Sequence, residues 1–349
     1  MEPAALRIER TTRASRIGAV GAALVLIALV SLPVWGDPST MRILVEFIAL
    51  LVLAQMWNLL AGYAGLVSIG QQVYVGLGGY ALIVLADDLG VNPFVAVPLA
   101  GVIAAAFALP TAALVFRFHG GYFAVGTWAI AEVYRLLIAN TPALGRGSGR
   151  TLKAVFPLAR ETREVTTYLL ALAIGVAALV AVYAFLRSRY GLGLMAIRDS
   201  EPGSETLGVD VFRTKLVVYV GVAFGTGVTG ALIYLNLLRI SPDAAFTINW
   251  TAYTIFIVVI GGLGSLEGPL IGTALFFVVR ELLSDYGAWY MILLGTLAVG
   301  VMLAYPQGLW GIVAERWDLR FFPVGRRVRV DRPPSPRPSP QRGEGEGEG

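Results

Sequence analysis

Residues 42–81 read RILVEFIALLVLAQMWNLLAGYAGLVSIGQQVYVGLGGYA, and this stretch decides the fold class. Its first half, residues 42–61, is an apolar run of about 20 residues, the length that a helix needs to cross the hydrocarbon core of a bilayer. The whole chain has the same character, since 56% of its 349 residues are hydrophobic and 14% are charged. Soluble domains average roughly 45–50% and 25%. The sequence therefore argues against a soluble globule and predicts an all-α polytopic membrane protein.

Similar apolar segments predict about ten transmembrane helices. They cover roughly residues 17–35, 42–61, 71–87, 93–116, 121–138, 167–186, 214–235, 246–261, 266–284 and 287–305. Arginines precede the first segment as in a signal peptide, but no small-residue cleavage site follows, so an uncleaved helix is favoured. Basic residues are more frequent in the loops that this count puts in the cytoplasm, which predicts cytoplasmic N- and C-termini.

Composition divides the chain into three parts. Residues 1–16 form a basic N-terminus, residues 17–305 the transmembrane domain, and residues 306–349 a cytoplasmic tail. The end of the tail is rich in Pro, Ser and Arg, and then in Gly and Glu, with no apolar side chain. Because such a segment cannot bury anything, we expect disorder from about residue 330.

Two glycine-rich strings interrupt the predicted helices, at residues 62–72 and 262–269. Each contains Gly-Leu-x-Ser followed by Ile or Leu, which hints at an internal duplication. The strings hold too much glycine for a stable helix and too many apolar residues for a solvated loop. Membranes tolerate irregular backbone only against protein or a water-filled cavity, so both strings are predicted to be re-entrant or broken segments. Short turns between closely packed helices are the alternative.

The strings and the polar residues beside them are candidates for lining a translocation pathway. A small and mildly polar lining is sufficient if the pathway does not hold its substrate tightly. Each candidate could equally be a helix-packing or capping residue. The candidates are Asn58, Gly65, Ser68, Gly70, Gln71, Gln72, Tyr74, Gly262, Gly264 and Ser265.

Residues 187–213 form the longest inner loop between predicted spans. Two short helices are expected there, because Ser200 or Glu201 can cap the second, Pro202 suits its first turn and Gly208 can end it. Apolar side chains within the loop favour a docking surface for a soluble partner, with a solvated connector as the alternative. These side chains are Met195, Ile197, Leu207 and Val209.

Several kinds of catalytic and binding site are absent from the sequence. The chain has no cysteine and a single histidine, His119, which excludes Cys-based and multi-histidine metal sites. Neither Lys153 nor Lys215 follows the glycine of a Walker-type nucleotide site, so the chain is not its own ATPase of that kind. The few charged residues lie mainly in loops and the tail and form no nucleic-acid-binding face. We therefore expect no enzyme, and no cofactor or metal in this chain.

Few charges lie within the predicted spans. Glu132 and Arg135 are three residues apart on one helix face, which favours a structural pair over a proton relay. If transport is active, energy must enter from another subunit, and residues 187–213 are the best-suited contact. Two other classes stay open here: a passive channel, and an intramembrane serine protease that would pair Ser68 with His119.

Four motifs resemble, in order, the permeases of high-affinity branched-chain amino-acid ABC importers of the LivM/LivH type, with a pattern closer to LivM. The resemblance covers about residues 42–312. The motifs are GYAGLVSIGQQVYVGLGGYA (62–81), RFHGGYFAVGTWAIAEVYRLLIAN (117–140), GLGLMAIRDSEPGSETLGVDV (191–211) and SPDAAFTINWTAYTIFIVVIGGLGSLEGPLIG (241–272).

This resemblance implies a permease subunit in a bacterial inner membrane, working by alternating access. The implied partners are a second, homologous permease, two cytoplasmic subunits that bind ATP and Mg, and a periplasmic substrate-binding protein. The resemblance also implies that residues 191–211 contain the ATPase-coupling loop. The residues carried over to that role are Ala196, Ile197, Arg198, Asp199, Glu201, Glu205, Leu207 and Gly208.

The chain departs from the family pattern in two places. Pro202 and Gly203 replace more usual helix-favouring residues of the coupling loop, and residues 143–149 only loosely resemble the family's glycine-rich outer motif. Related permeases serve branched-chain amino acids, other amino acids, urea or short amides. Branched-chain or related amino acids are the expected substrate, and urea or a short amide is the alternative.

Overall fold

The fold is described from a computed structural model of the chain. The structure describes residues 6–9, 13–283, 289–305, 307–317 and 327–330. Most of these residues are helical, which confirms the all-α class. The helices are α1 Arg13–Trp35, α2 Pro38–Asn58, α3 Gln72–Ile83, α4 Pro93–Val115, α5 Gly121–Asn140, α6 Arg160–Arg187, α7 Arg189–Asp199, α8 Glu201–Thr206, α9 Val211–Leu237, α10 Pro242–Ala245, α11 Asn249–Gly261, α12 Gly268–Leu283, α13 Trp289–Ala304 and α14 Gly308–Trp317.

Seven stretches of the described chain are long and apolar enough to cross a membrane. They are Pro38–Tyr63, Pro93–Val115, Gly121–Asn140, Arg160–Arg187, Val211–Leu237, Pro242–Gly261 and Ile292–Arg316. The apolar part of α1, Val20–Trp35, is shorter. The protein is therefore a multi-pass membrane protein, whereas the count of ten spans and the cytoplasmic placement of both ends stay predictions.

Short side chains let the central helices pack closely. Along α4, every fourth residue from Ala96 to Ala112 is an alanine with no exposed surface. This alanine ridge lies against α9, where a Cβ at Gly227 would collide with Ala104. A Cβ at Gly78 of α3 would in turn collide with the Gly227 carbonyl group. Small residues on one helical ridge allow the backbones of α3, α4 and α9 to approach closely and form the core.

Local capping signals begin several of these helices. The Asp37 side chain accepts a hydrogen bond from Thr40 N (3.4 Å) before Pro38 opens α2. The Asn92 side chain caps α4 by accepting a hydrogen bond from Phe94 N (3.0 Å). The Asp210 side chain caps α9 in the same way by accepting from Arg213 N (2.9 Å). A capping oxygen satisfies a backbone donor that would otherwise lack a partner, and the prolines that open α2 and α4 have no N–H to satisfy.

Two short strand pairs join segments that are distant in sequence. Strand β1, Leu6–Glu9, pairs antiparallel with β4, Arg327–Val330, and β2, Arg150–Thr151, pairs antiparallel with β3, Arg239–Ile240. The first pair brings the two ends of the described chain together. The predicted disorder beyond residue 330 lies outside the described residues, as does much of the basic N-terminus.

Candidate functional site

The first glycine-rich string is a broken turn, as predicted. At its start α2 widens into a π-helical turn, Leu59–Tyr63, and residues 65–71 leave the helical conformation. Gly65 has φ +70°, a value that favours glycine. The Ser68 Oγ accepts a hydrogen bond from Gly70 N (3.2 Å), and Trp57 Nε1 donates to the Ser68 carbonyl group (2.8 Å). These bonds hold irregular backbone inside the bundle.

The second string makes a similar break between α11 and α12. Gly262 and Gly264 both have positive φ, at +134° and +74°. Ser265 Oγ accepts from Gly268 N (3.0 Å), at the start of the next helix. The serine of each string thus accepts from a backbone N–H just ahead of it, a shared role that fits the duplication suggested by their sequences.

Asn58 joins the two broken turns. Its Nδ2 donates to the Ser265 carbonyl group (2.8 Å), and its Oδ1 accepts from Gly264 N (2.8 Å). Gly62, on the next turn of the same helix, leaves no room for a side chain, since a Cβ there would lie 2.6 Å from Gly264 N. The two strings therefore form one packed unit, which we call the glycine junction (residues 58–71 and 262–268).

Other candidate pathway residues are used in helix packing. Gln71 Nε2 donates to Thr226 Oγ1 (2.9 Å), and the Gln72 side chain accepts from the Thr251 hydroxyl. Gly70 fits against the Thr127 backbone. Asn58, Ser68, Gly70, Gln71, Gln72, Tyr74 and Gly262 are all buried, whereas Gly65 is exposed and Gly264 and Ser265 are half-buried. Their role as pathway lining stays a prediction.

The loop after α6 has the two short helices that the sequence predicts. Ser200, rather than Glu201, caps α8, because its Oγ accepts from Gly203 N (3.1 Å). Pro202 occupies the first turn. Gly208 follows the helix with φ +80°, the left-handed position that glycine favours at a helix end.

This loop is anchored firmly to the membrane helices. Leu194 and Ser204 are buried, and Glu201 forms an ion pair with Lys215 of α9 (2.7 Å). Ile197, expected on a docking surface, is only 4% exposed, so this expectation is wrong: its side chain packs inward as an anchor. Leu207 is 79% exposed at the loop tip.

The remaining residues of the expected docking surface divide by exposure. Asp199, Glu205 and Gly208 are exposed beside Leu207. Met195, Ala196 and Val209 are half-buried. A partner that approaches this loop therefore meets mainly the tip of α8 and the turn that follows it.

Arg198 connects this loop to the glycine junction. Its Nη1 donates to the Gly62 carbonyl group (3.1 Å) and would lie 3.7 Å from a Cβ at Gly264. Its Cγ would lie 3.3 Å from a Cβ at Gly65. The guanidinium also pairs with Asp199 (3.1 Å). Sequence reasoning placed Arg198 in the loop but missed this contact, because no local pattern signals a partner so distant in the chain.

Comparison with known proteins decides the family. The family model described as "Branched-chain amino acid transport system / permease component" matches residues 39–304. The chain belongs to this permease family. It is similar to the high-affinity branched-chain amino acid transport system permease protein LivM of Salmonella typhimurium, with 28% identity over 75% of this chain and 68% of that protein.

Two further relatives carry the LivM name. The Escherichia coli K12 protein is 27% identical over 81% of this chain and 79% of its own length. The probable LivM of Methanocaldococcus jannaschii is 24% identical over 66% of this chain and 76% of its own. No solved structure matches the chain significantly. The printed names describe all three relatives as branched-chain amino acid transport permease proteins.

Two groups of charged side chains within the spans of the permease are paired. Arg135 Nε donates to Glu132 (2.9 Å), which confirms the expected pair, and Arg135 Nη1 also contacts Asp243 of α10 (2.5 Å). Sequence reasoning missed Asp243. Arg280 of α12 forms an ion pair with Glu46 of α2 (2.5 Å). In the described part of the chain, no cluster of three or more His, Asp or Glu side chains is arranged to hold a metal ion.

The serine of the proposed protease pair has a structural use. Ser68 is buried and holds the broken turn, while His119 lies in the exposed turn between α4 and α5. These placements favour a structural Ser68 over a nucleophile.

A crevice of about 290 Å³ opens where α2 and α6 begin and α9 ends. Glu164 accepts there from Arg42 (2.7 Å) and Arg160 (3.0 Å). The crevice lies at the opposite end of α6 and α9 from the 187–213 loop, and none of the candidate pathway residues lines it.

Proposed function

We propose that this chain is the membrane-spanning subunit of an ATP-driven importer of branched-chain amino acids in a bacterial inner membrane. Its proposed partners are a second, homologous permease, two cytoplasmic subunits that bind ATP and Mg, and a periplasmic substrate-binding protein. The named activity of the LivM relatives supports the substrate class. In this proposal the chain supplies the path and its partners supply the energy.

The contact between Arg198 and Gly62 is the observation that carries the proposal. An importer driven from outside the chain needs a surface that receives force and a connection from that surface to the path. Residues 187–213 offer the surface at Leu207 and Glu205, and Arg198 offers the connection through its bond to the Gly62 carbonyl group.

Anchoring of the loop suits it to transmit movement. The ion pair between Glu201 and Lys215 and the buried Leu194 and Ile197 hold α7 and α8 as one body against α9. A push on the α8 tip would therefore move Arg198 rather than bend the loop. Arg198 contacts the broken turn at Gly62. The hydrogen bonds of Asn58 would then transmit the displacement to the second broken turn.

The glycine junction is the proposed hinge. A π-helical turn and positive-φ glycines lie together there, and such irregular elements are where a helix changes direction at low cost.

Domains 1–16, 17–305 and 306–349 keep their proposed roles as cytoplasmic flank, permease domain and tail. Pairing of β1 with β4 supports a shared side for the two ends.

Reconstitution tests the proposed function. The assembled complex in proteoliposomes should accumulate leucine only when ATP and the loaded binding protein are both present, and urea or acetamide should not compete. Uptake without ATP would instead indicate a passive channel, and competition by urea or acetamide would favour the short-amide alternative.

A further inference from the structure

The face of α5 that carries Glu132 is open within this chain. Only a narrow strip of α5 is buried, and Glu132 and Asp243 have side-chain exposures of 50% and 78%. Glu132 lies eight residues before the end of α5, about 12 Å along a helix that rises 1.5 Å per residue. Because α5 is long and apolar enough to cross a membrane, Glu132 lies well inside a candidate span, where exposing a charge to lipid is costly.

Asp243 contacts this part of α5 from α10, at the start of the candidate span Pro242–Gly261. After α9 ends, α10 and the irregular residues 246–248 turn back toward the bundle. Phe246 stacks on Tyr80 at 6.3 Å between ring centroids and fills the space beside Gly76. Irregular backbone at membrane depth is tolerated only against protein or water. Two independent features, the open charges and the irregular backbone, thus meet at one place.

We propose that Glu132, Arg135 and Asp243 form the polar contact of a water-lined path for zwitterionic amino acids. We call these three residues the α5 triad; the proposal rests on the proposed function and adds a site to it. The triad combines two carboxylates with one guanidinium held between them (2.9 and 2.5 Å). A zwitterion can present its ammonium group to a carboxylate and its own carboxylate to Arg135.

The triad is suited to brief rather than tight binding. Because the guanidinium of Arg135 is already paired with both carboxylates and the triad has a net charge of −1, an isolated anion finds no free positive charge there. The ammonium and carboxylate groups of a zwitterion can replace the ion pairs within the triad at little net cost in free energy. Conduction along a path requires binding that is weak enough to let the substrate leave.

Water access can be measured by single-cysteine labelling, since the chain has no cysteine of its own. Leu136 lies one turn beyond Glu132, whereas Leu137 is rotated by about a further 100° around the helix and faces away from the triad. Their exposures within this chain are similar, 46% and 59%. In the assembled transporter, a membrane-impermeant cationic thiosulfonate should label Leu136→Cys and leave Leu137→Cys unlabelled. Equal labelling, or labelling of Leu137→Cys alone, would overturn the proposal.

Charge removal separates a transport role from a structural pair. Glu132→Gln should lower leucine uptake by about tenfold, while ATPase activity stimulated by the loaded binding protein stays within about twofold of the wild-type value. The double variant Glu132→Gln, Arg135→Gln should remain equally defective. Recovery of uptake in the double variant would overturn the proposal, because it would show that Glu132 and Arg135 form only a structural ion pair. If wild-type complexes take up no leucine, the proposed function fails, whereas the labelling result still decides whether this face meets water.

Discussion

At the residue scale, Asn58 is the main polar connection between the two broken turns. Asn58→Ala removes one donor and one acceptor and leaves Ser265 O and Gly264 N without these partners in a packed environment. Each unsatisfied backbone group costs about 1–3 kcal/mol. We expect a clearly lower thermal-unfolding midpoint for the purified protein in detergent.

Asn140→Ala is the matched control for that change. The Asn140 side chain is exposed and donates only to the Leu136 carbonyl group one turn earlier (2.8 Å). Its loss should hardly move the midpoint. Equal midpoints for the two variants would contradict the role given to Asn58.

At the element scale, close backbone contact between α3 and α9 depends on glycine. A Cβ at Gly230 would collide with the Val75 carbonyl group, whereas a Cβ at Gly221 of the same helix meets no atom within 4 Å. Gly230→Ala should therefore destabilise the fold by several kcal/mol or prevent folding. Gly221→Ala should be neutral or stabilising by up to about 1 kcal/mol, because alanine favours helix. Chemical unfolding of both variants measures this difference in the free energy of unfolding. Equal changes in the two variants would contradict the role given to Gly230.

Strand β2 is tied to the π-helical turn Val84–Asp88, which follows α3, by an acid-sensitive ion pair. Arg150 donates to both Asp88 oxygens (2.7 and 2.6 Å) and holds the pKa of this carboxyl below its usual 3.8. The pair therefore adds stability above pH 3.8 and loses it as the pH falls through the lowered folded-state pKa. Since the pair is partly exposed, its contribution is below about 1 kcal/mol.

Asp88→Asn tests this pH dependence. At neutral pH the variant should unfold slightly earlier than the wild type, and the gap should close on acidification below pH 3.8. A gap that is constant with pH would assign the effect to packing rather than to charge.

Local signals in the sequence predicted elements well, and distant contacts poorly. Ser200, Pro202 and Gly208 mark a capped short helix because each acts on backbone within a few residues. The glycine strings likewise predict broken turns from composition alone. Arg198 and Gly62 are 136 residues apart, and Arg135 and Asp243 are 108 apart. Such pairs arise from how helices pack, which no local pattern specifies.

At the scale of the whole molecule, the proposed functions occupy different regions. The 187–213 loop would receive force, the glycine junction would act as hinge, and the α5 triad would contact the substrate. Arg198 links the first two regions by its charged hydrogen bond to the Gly62 carbonyl group. Losing such a bond costs about 1.5–3 kcal/mol, which corresponds to a rate change on the order of tenfold or more.

ATP-driven leucine uptake by complexes that carry Arg198→Ala tests the central claim most directly. Arg189→Ala, an exposed arginine of the same helix α7, is the control. We expect Arg198→Ala complexes to assemble and hydrolyse ATP, yet to take up leucine about tenfold more slowly, whereas Arg189→Ala complexes behave as wild type. Normal uptake by correctly assembled Arg198→Ala complexes would contradict the proposed coupling route.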